Sequence, residues 1–327
     1  MGRTSGAPVS ITGLGSYVPA RVLTNDDLAR IVDTSDEWIR ERTGIRERRI
    51  AAPDEAMSDL ALPAARGALA DAGVEAGDLD LVIVATVTPD MAFPATAALL
   101  ADMVGARRAA AYDLSAGCAG FMYALAQAHA VVAAGLAARV LVVGGDVLSR
   151  ILDWTDRSTL VLFGDGAGAV VIECTSRGGF LGFELGAAGA GGPELFLPGS
   201  GSRTFAGRAR VVEMNGREVY KFATRVLVSS AEALLAACGK TVADVDVYVP
   251  HQANVRIIEH AVRRLGFSEE KVVVNVERYG NTSSGSIPLA LADAASDGRL
   301  EPGKLVLMTG MGAGLTWGSA LIEWTQP

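Results

Sequence analysis

The chain has 327 residues, half of them hydrophobic and a fifth charged. That length and apolarity suit one large domain or two of ordinary size around a sizeable core, and they exclude disorder as the main state. A net charge of −8 argues against a nucleic-acid binder.

At the N-terminus, Met1 to Pro8 lacks the apolar core of a secretory signal, and Gly6 stands where myristoylation needs Ser or Thr. The segment Asp80-Leu-Val-Ile-Val-Ala-Thr86 is a short apolar run rich in β-branched residues, and so is Val140-Leu-Val-Val-Gly-Gly145. Each follows an Ala-rich stretch of helical composition, which predicts βαβ units on a buried, largely parallel sheet. Leu114 to Ala138 is the longest stretch without Asp, Glu, Lys or Arg. Ala and Gly dominate it, with Gln127 and His129 in its middle, so it reads as a buried helix of a cytoplasmic protein that uses no membrane. The three cysteines, Cys118, Cys174 and Cys238, form no CxxC pair, so neither a disulfide framework nor a bound metal is expected.

The chain also matches itself. Leu69-Ala-Asp-Ala-Gly73 and Asp78-Leu-Asp-Leu-Val-Ile83 recur as Leu235-Ala-Ala-Cys-Gly239 and Asp244-Val-Asp-Val-Tyr-Val249, an offset of 166. Tyr123–Ala126 matches Leu289–Ala292 at 166, and Val140–Val143 matches Leu305–Met308 at 165. A steady offset across three short matches predicts a duplicated architecture, with halves at 1–175 and 176–327. Cys118 and Ser284 then hold equivalent places, Asn281 lies three residues before Ser284, and His251 follows the strand Val245–Val249. Sites in such sheets lie beyond the carboxyl ends of strands, so Cys118, His251 and Asn281 are expected to converge.

Cys118 follows the turn Ser115-Ala-Gly117 and opens a helix. A cysteine there feels the positive end of the helix dipole, which predicts a lowered pKa and a nucleophilic thiolate. The alternative is a small buried cysteine filling a gap. His251, in Pro250-His-Gln-Ala-Asn254, is either a functional strand-end group or an exposed loop histidine. Asn281, in Tyr279-Gly-Asn-Thr-Ser283, is either functional or a helix cap. His129 and His260 read as structural. Phe163-Gly-Asp-Gly-Ala-Gly-Ala169 precedes a strand rather than a helix, so it reads as a tight turn and not a dinucleotide loop. Gly310-Met-Gly-Ala-Gly314 offers backbone N–H groups that suit an oxyanion.

Taken together, the Cys118 context, Pro250-His-Gln-Ala-Asn254, Gly280-Asn-Thr-Ser283, Gly312-Ala-Gly-Leu-Thr-Trp-Gly-Ser-Ala320 and Thr34-Ser-Asp-Glu-Trp-Ile-Arg-Glu-Arg-Thr-Gly-Ile-Arg46 resemble the β-ketoacyl-acyl carrier protein synthase III family along essentially the whole chain. The resemblance implies an α/β, thiolase-like fold with a duplicated five-layer αβαβα architecture. It implies an acyltransferase that joins an acyl-CoA primer to malonyl-acyl carrier protein, with loss of CO2, to initiate fatty-acid synthesis without a resident cofactor. Cys118 would be the acylated nucleophile, and His251 and Asn281 the donors to the enolate. The backbone N–H groups of Cys118 and Ala313 would form the oxyanion hole. Here the sequence departs from the family's usual run of three glycines, which Ala313 tolerates only if its φ is not positive.

The resemblance further places Trp38, Arg42, Arg157 and Asn254 on CoA, and Phe93 across a homodimer interface in the partner's acyl pocket. Lys221, Arg256, Arg263 and Arg264 would dock the acidic carrier protein. Three competing readings are a homologue that primes a polyketide or other secondary pathway, a cysteine hydrolase, and a non-enzymatic scaffold. The primer's acyl group is left open.

Overall fold

A computed structural model describes residues 7–326. The expectations for Met1–Gly6 lie outside them.

Strand β1 (Val9–Tyr17) opens the chain. A small antiparallel pair, β2 (Arg21–Thr24) and β3 (Glu47–Ile50), brackets helices α1 (Asn25–Ala29) and α2 (Asp36–Thr43). Thr24 and Ser35 accept the first free N–H groups of these two helices, which fixes where each begins. Helix α3 (Met57–Ala72) leads to β4 (Leu81–Ala85), α4 (Thr96–Val104) to β5 (Ala110–Leu114), and α5 (Gly120–Ala133) to β6 (Arg139–Asp146). After α6 (Arg157–Leu160), β7 (Gly166–Cys174) completes the first sheet.

The second half opens with β8 (Gly179–Ala187) and the short pair β9 (Leu195–Phe196) and β10 (Glu213–Met214). It continues through α7 (Gly216–Ala237), β11 (Val247–Pro250), α8 (Val255–Leu265), α9 (Val276–Tyr279) and α10 (Ser286–Ser296). The hairpin β12 (Leu305–Gly312) and β13 (Thr316–Glu323) ends it.

Strands order as β1-β7-β6-β4-β5 in one sheet and β11-β12-β13-β8 in the other. The orders correspond strand for strand: β8, β13, β12 and β11 take the places of β1, β7, β6 and β4. A single parallel bridge, Tyr248 to Val272, stands where β5 does. Equivalent elements β6 and β12 begin 166 residues apart, as do α5 and α10. The duplication visible in the sequence is therefore a duplication of the fold.

One expectation needs correction. The sheets are mixed, not largely parallel: β4 pairs in parallel with β5 and β6, and β11 with β12, while β7 and β13 each run antiparallel to both neighbours. Composition does not carry strand direction, because both kinds of strand here are buried on both faces and read as continuous apolar runs.

Side chains of α5 (Phe121, Met122, Leu125, Ala128) and α10 (Ile287, Ala290, Leu291, Ala294) share one core with both sheets, including Val140, Val142, Val306 and Met308. The two helices are thus the middle layer. Outside, α3 and α4 cover the first sheet and α7 and α8 the second. Five layers result, αβαβα. The middle helices have few polar residues because most of their surface meets core, with Gln127 and Ala130 of α5 left exposed.

Candidate active site

The two middle helices begin at the same level, and the loops that feed them hold Cys118 and Asn281. Gly117 has φ of +57°, and a Cβ there would lie 2.6 Å from the Ala313 nitrogen. Only glycine allows this turn. Gly312 answers from the other half: a Cβ at 312 would lie 2.2 Å from the Cys118 nitrogen. The two loops therefore meet backbone to backbone, with the N–H groups of Cys118 and Ala313 at the junction. Ala313 does not adopt positive φ, while Gly314 does, at +75°. The alanine is accommodated without strain.

His251 follows β11 and extends its ladder, its N–H donating to the Thr309 carbonyl at 2.8 Å. The ring is buried and its Nδ1 lies 2.5 Å from Ser286 Oγ. Burial pushes its pKa down to about 3, so the imidazole is neutral at physiological pH. Asn281 is held through its backbone: its N–H donates to the Leu162 carbonyl at 2.8 Å, and its own carbonyl accepts from Gly164 at 3.0 Å. Its Oδ1 accepts the Ser283 N–H at 2.9 Å. That bond fixes the flip of the amide and leaves Nδ2 for the cavity that Asn281 lines. Asn281 caps no helix, since Gly285 precedes α10; its side chain closes only the short turn to Ser283.

Cys118, His251 and Asn281 line a single cavity of about 340 Å³. Trp38, Arg42, Asn254 and Arg256 line its outer part. The guanidinium carbons of Arg42 and Arg157 lie 4.8 and 4.9 Å from the Trp38 ring centroid. Asn254 is partly committed to structure: Oδ1 caps α8 through the Arg256 N–H at 2.9 Å, and Nδ2 donates to the Arg42 carbonyl at 3.0 Å. Lys221 pairs with Glu218 at 2.6 Å and Arg263 with Glu259 at 3.7 Å, each on its own exposed helix face, with Arg264 exposed beside Arg263. Phe93 lies apart from the cavity and is 84% exposed.

The state of the thiol differs from expectation. Cys118 keeps some surface open to the cavity, yet burial pushes its pKa up to about 12, with the Asp146 carboxylate adding to the rise. Hydrogen bonding from Ser283 and from its own N–H opposes this without cancelling it. The helix starts at Gly120 with Ala119 as its cap, two residues beyond the sulfur. Dipole stabilisation fades within a turn, and desolvation outweighs it. Cys118 therefore rests as a thiol. Below its pKa the thiolate fraction rises tenfold per pH unit, so iodoacetamide should alkylate Cys118 about ten times faster at pH 9 than at pH 8. A rate that levels off below pH 8 contradicts this.

Two contributors were not singled out in the sequence. Asp146 ends β6 fully buried, and its Oδ1 accepts from Thr86 Oγ1, Val87 N–H, Thr88 N–H and Thr88 Oγ1 at 2.7–3.1 Å. Its Oδ2 faces Ser284, 3.1 Å from Oγ and 3.4 Å from N. It ties the Cys118 half to the Asn281 loop. A lone carboxylate closing the run Val140-Leu-Val-Val-Gly-Gly-Asp146 was the available signal. Gln252 is the other: Nε2 donates to the carbonyls of Pro250 and Val273, and Oε1 accepts the Asn275 N–H.

The Phe163–Ala169 segment behaves as expected. It turns into β7, and Phe163 bridges Asn281 at the floor of the cavity. His129 packs on Phe180 and Phe183, a structural place.

The sequence pattern described as 3-oxoacyl-[acyl-carrier-protein] synthase III matches residues 112–189, and its C-terminal counterpart matches 235–324. A β-ketoacyl-[acyl-carrier-protein] synthase III of Symbiobacterium thermophilum is 56% identical over 97% of this chain and 98% of its own. The chain belongs to the synthase III family. One from Desulfitobacterium hafniense is 51% identical over 97% of this chain and 98% of its own. The synthase III structure from Thermus thermophilus superposes with a TM-score of 0.93 at 51% identity, covering 97% of this chain and all of that one. The priming β-ketosynthase of the R1128 polyketide pathway superposes equally well, at 0.93 over 98% of both chains, but is 39% identical.

Membership makes the chain a thiolase-fold condensing acyltransferase of fatty-acid initiation, and the higher identity to synthase III proteins sets the polyketide alternative aside. Among the described residues, no helix is long and apolar enough to cross a membrane.

Proposed function

We propose that Cys118, His251 and Asn281 carry out a two-stage condensation of an acyl-CoA with malonyl-acyl carrier protein. In the first stage the Cys118 sulfur attacks the primer thioester, the carbon–sulfur bond to CoA breaks, and the cysteine proton leaves on the CoA sulfur. In the second, the malonyl carbon–carboxylate bond breaks and its electron pair enters the thioester carbonyl as an enolate while CO2 departs. The enolate carbon attacks acyl-Cys118, and the cysteine sulfur leaves and takes up a proton. Both stages develop negative oxygen. Neutral donors in a buried site stabilise it without a resident cofactor. The enolate oxygen falls to His251 and Asn281, and the tetrahedral oxygen to the N–H groups of Cys118 and Ala313. The observation that carries this reading is that the three side chains line one cavity.

Trp38, Arg42, Arg157 and Asn254 bind CoA in this reading, with the purine between Trp38 and Arg157. Two stacking contacts need about 7 Å, against 4.9 Å between these groups here, so Arg157 swings outward as the nucleotide enters. Trp38→Ala should raise the KM for acyl-CoA roughly tenfold and leave turnover at saturation nearly unchanged, because stacking on a base contributes about 1–3 kcal/mol. A fall in turnover with unchanged KM contradicts the assignment.

Arg256 at the cavity mouth, with Lys221, Arg263 and Arg264, docks the carrier protein. Their exposed ion pairs are worth about 0–1 kcal/mol and do not compete with a strongly acidic partner. Phe93, with Met91 47% exposed beside it, supports a homodimer in which the partner covers this loop. The division at 1–175 and 176–327 is supported by the change of sheet between Cys174 and Gly179. A cytoplasmic location belongs to the same reading.

The test is intact-protein mass spectrometry with a panel of acyl-CoAs. One acyl adduct on Cys118 is expected, discharged when malonyl-acyl carrier protein is added. An adduct that water discharges equally fast favours the cysteine hydrolase. No adduct from any primer, on folded protein, sinks the nucleophile assignment.

A further inference from the structure

We infer that Ser286 is a positioning residue: it holds His251 in the tautomer that carries its proton on Nε2, so the imidazole meets the cavity as a donor and not as a base. The inference rests on the role given to His251 above and adds the residue that makes that role available.

Ser286 is the first residue of α10, 1% exposed, at the level where both middle helices begin. Its hydroxyl has two neighbours among the described residues. His251 Nδ1 lies at 2.5 Å, and the Gln252 N–H approaches at 3.3 Å. A backbone N–H only donates, so that contact uses a lone pair of Oγ. The hydroxyl proton is then left with one acceptor within reach, Nδ1. Were Nδ1 protonated, it would also donate to Oγ, and the serine proton would sit buried with nowhere to go, a costly state. Both groups are satisfied when Oγ–H donates to Nδ1 and the ring proton lies on Nε2.

The frame around this contact is rigid. Gln252 is fixed by its own bonds to Pro250, Val273 and Asn275, and the His251 backbone by Thr309. Ser286 is followed in its helix by the buried Ile287 and Pro288. The ring is neutral, so it carries one proton and the tautomer is a real choice. Acyl loading of Cys118 needs neither tautomer, since its proton departs with the CoA sulfur. Stabilising the enolate needs Nε2–H. Ser286 is therefore expected to matter to the second stage and not the first.

The test uses the full chain labelled with 15N-histidine. There are three histidines, His129, His251 and His260, and variants at the other two assign the His251 signals. Wild type should show the Nε2–H pattern. In Ser286→Ala that preference should weaken, condensation turnover should fall roughly tenfold to hundredfold, and acyl loading of Cys118 should stay within about twofold. Ser286→Thr keeps the hydroxyl and should restore tautomer and turnover together.

An Nδ1–H pattern in wild type overturns the inference whether or not any variant folds. So does Ser286→Ala with tautomer and turnover unchanged. A shifted tautomer with unchanged condensation also overturns it, and places the failure in the enolate-donor role of His251 rather than in the serine contact.

Discussion

Cys118→Ala should take no acyl group from any acyl-CoA, and condensation should fall by roughly four to six orders of magnitude, the usual cost of deleting a covalent nucleophile. The fold should be untouched. Cys118 faces the cavity, so its sulfur leaves no closed void when removed, and the midpoint of thermal unfolding should match wild type. The sharper part of the prediction concerns the second stage. His251 and Asn281 are positioned by Ser286, Thr309, Leu162, Gly164 and Ser283; of these Ser283 also meets the Cys118 thiol, but it holds Asn281 through its backbone N–H, which the substitution leaves in place. The variant should therefore still decarboxylate malonyl-acyl carrier protein slowly and release acetyl-acyl carrier protein. Measured CO2 release separates the outcomes. Release without condensation places bond cleavage on His251 and Asn281. A variant that still condenses at more than a hundredth of the wild-type rate removes Cys118 from the mechanism.

Asp146→Ala should be strongly damaging although Asp146 does not line the cavity. It strands the half-buried N–H of Val87, leaves the Thr88 N–H only Thr86 Oγ1, and loosens the hydroxyls of Thr86, Thr88 and Ser284. A donor left unpaired costs about 1–3 kcal/mol and the loosened hydroxyls add to it, so a loss of about 2–4 kcal/mol is expected, seen as a drop in Tm of roughly 5–10 °C. Asp146→Asn keeps one acceptor oxygen and should fall between the two. It also removes the negative charge that helps hold the Cys118 thiol protonated. At a fixed pH its thiol should alkylate faster than wild type even though the protein is less stable. A merely structural carboxylate predicts the loss of stability alone, so equal alkylation rates refute the electrostatic coupling.

Much of this molecule was legible in one dimension because its signals are local. The strands at β4 and β6 are short β-branched runs, and the offset near 166 carries the duplication in the sequence itself. Cys118 stood out by its turn of small residues after an apolar run, His251 by its place after the strand Val245–Val249, and Asn281 by lying three residues before Ser284, the counterpart of Cys118 in the second half. What was misread depended on neighbours distant in sequence. Strand direction in β7 and β13 is invisible to composition when both faces are covered. The thiol of Cys118 was expected to be acidic from its helix alone. Desolvation by the second half of the chain, together with Asp146, reverses the sign.

The linear chain carries the duplicated α/β architecture in its offset near 166 and the candidate residue types in their local contexts, while the family is legible in it as a resemblance of five motifs. The protonation state of Cys118, the orientation of the Asn281 amide and the tautomer of His251 depend on the folded packing. Each of these is set by what a polar atom touches across the interface of the two halves. In a buried site, unpaired donors and unsolvated charges carry large free-energy penalties, and such contacts join residues far apart along the chain.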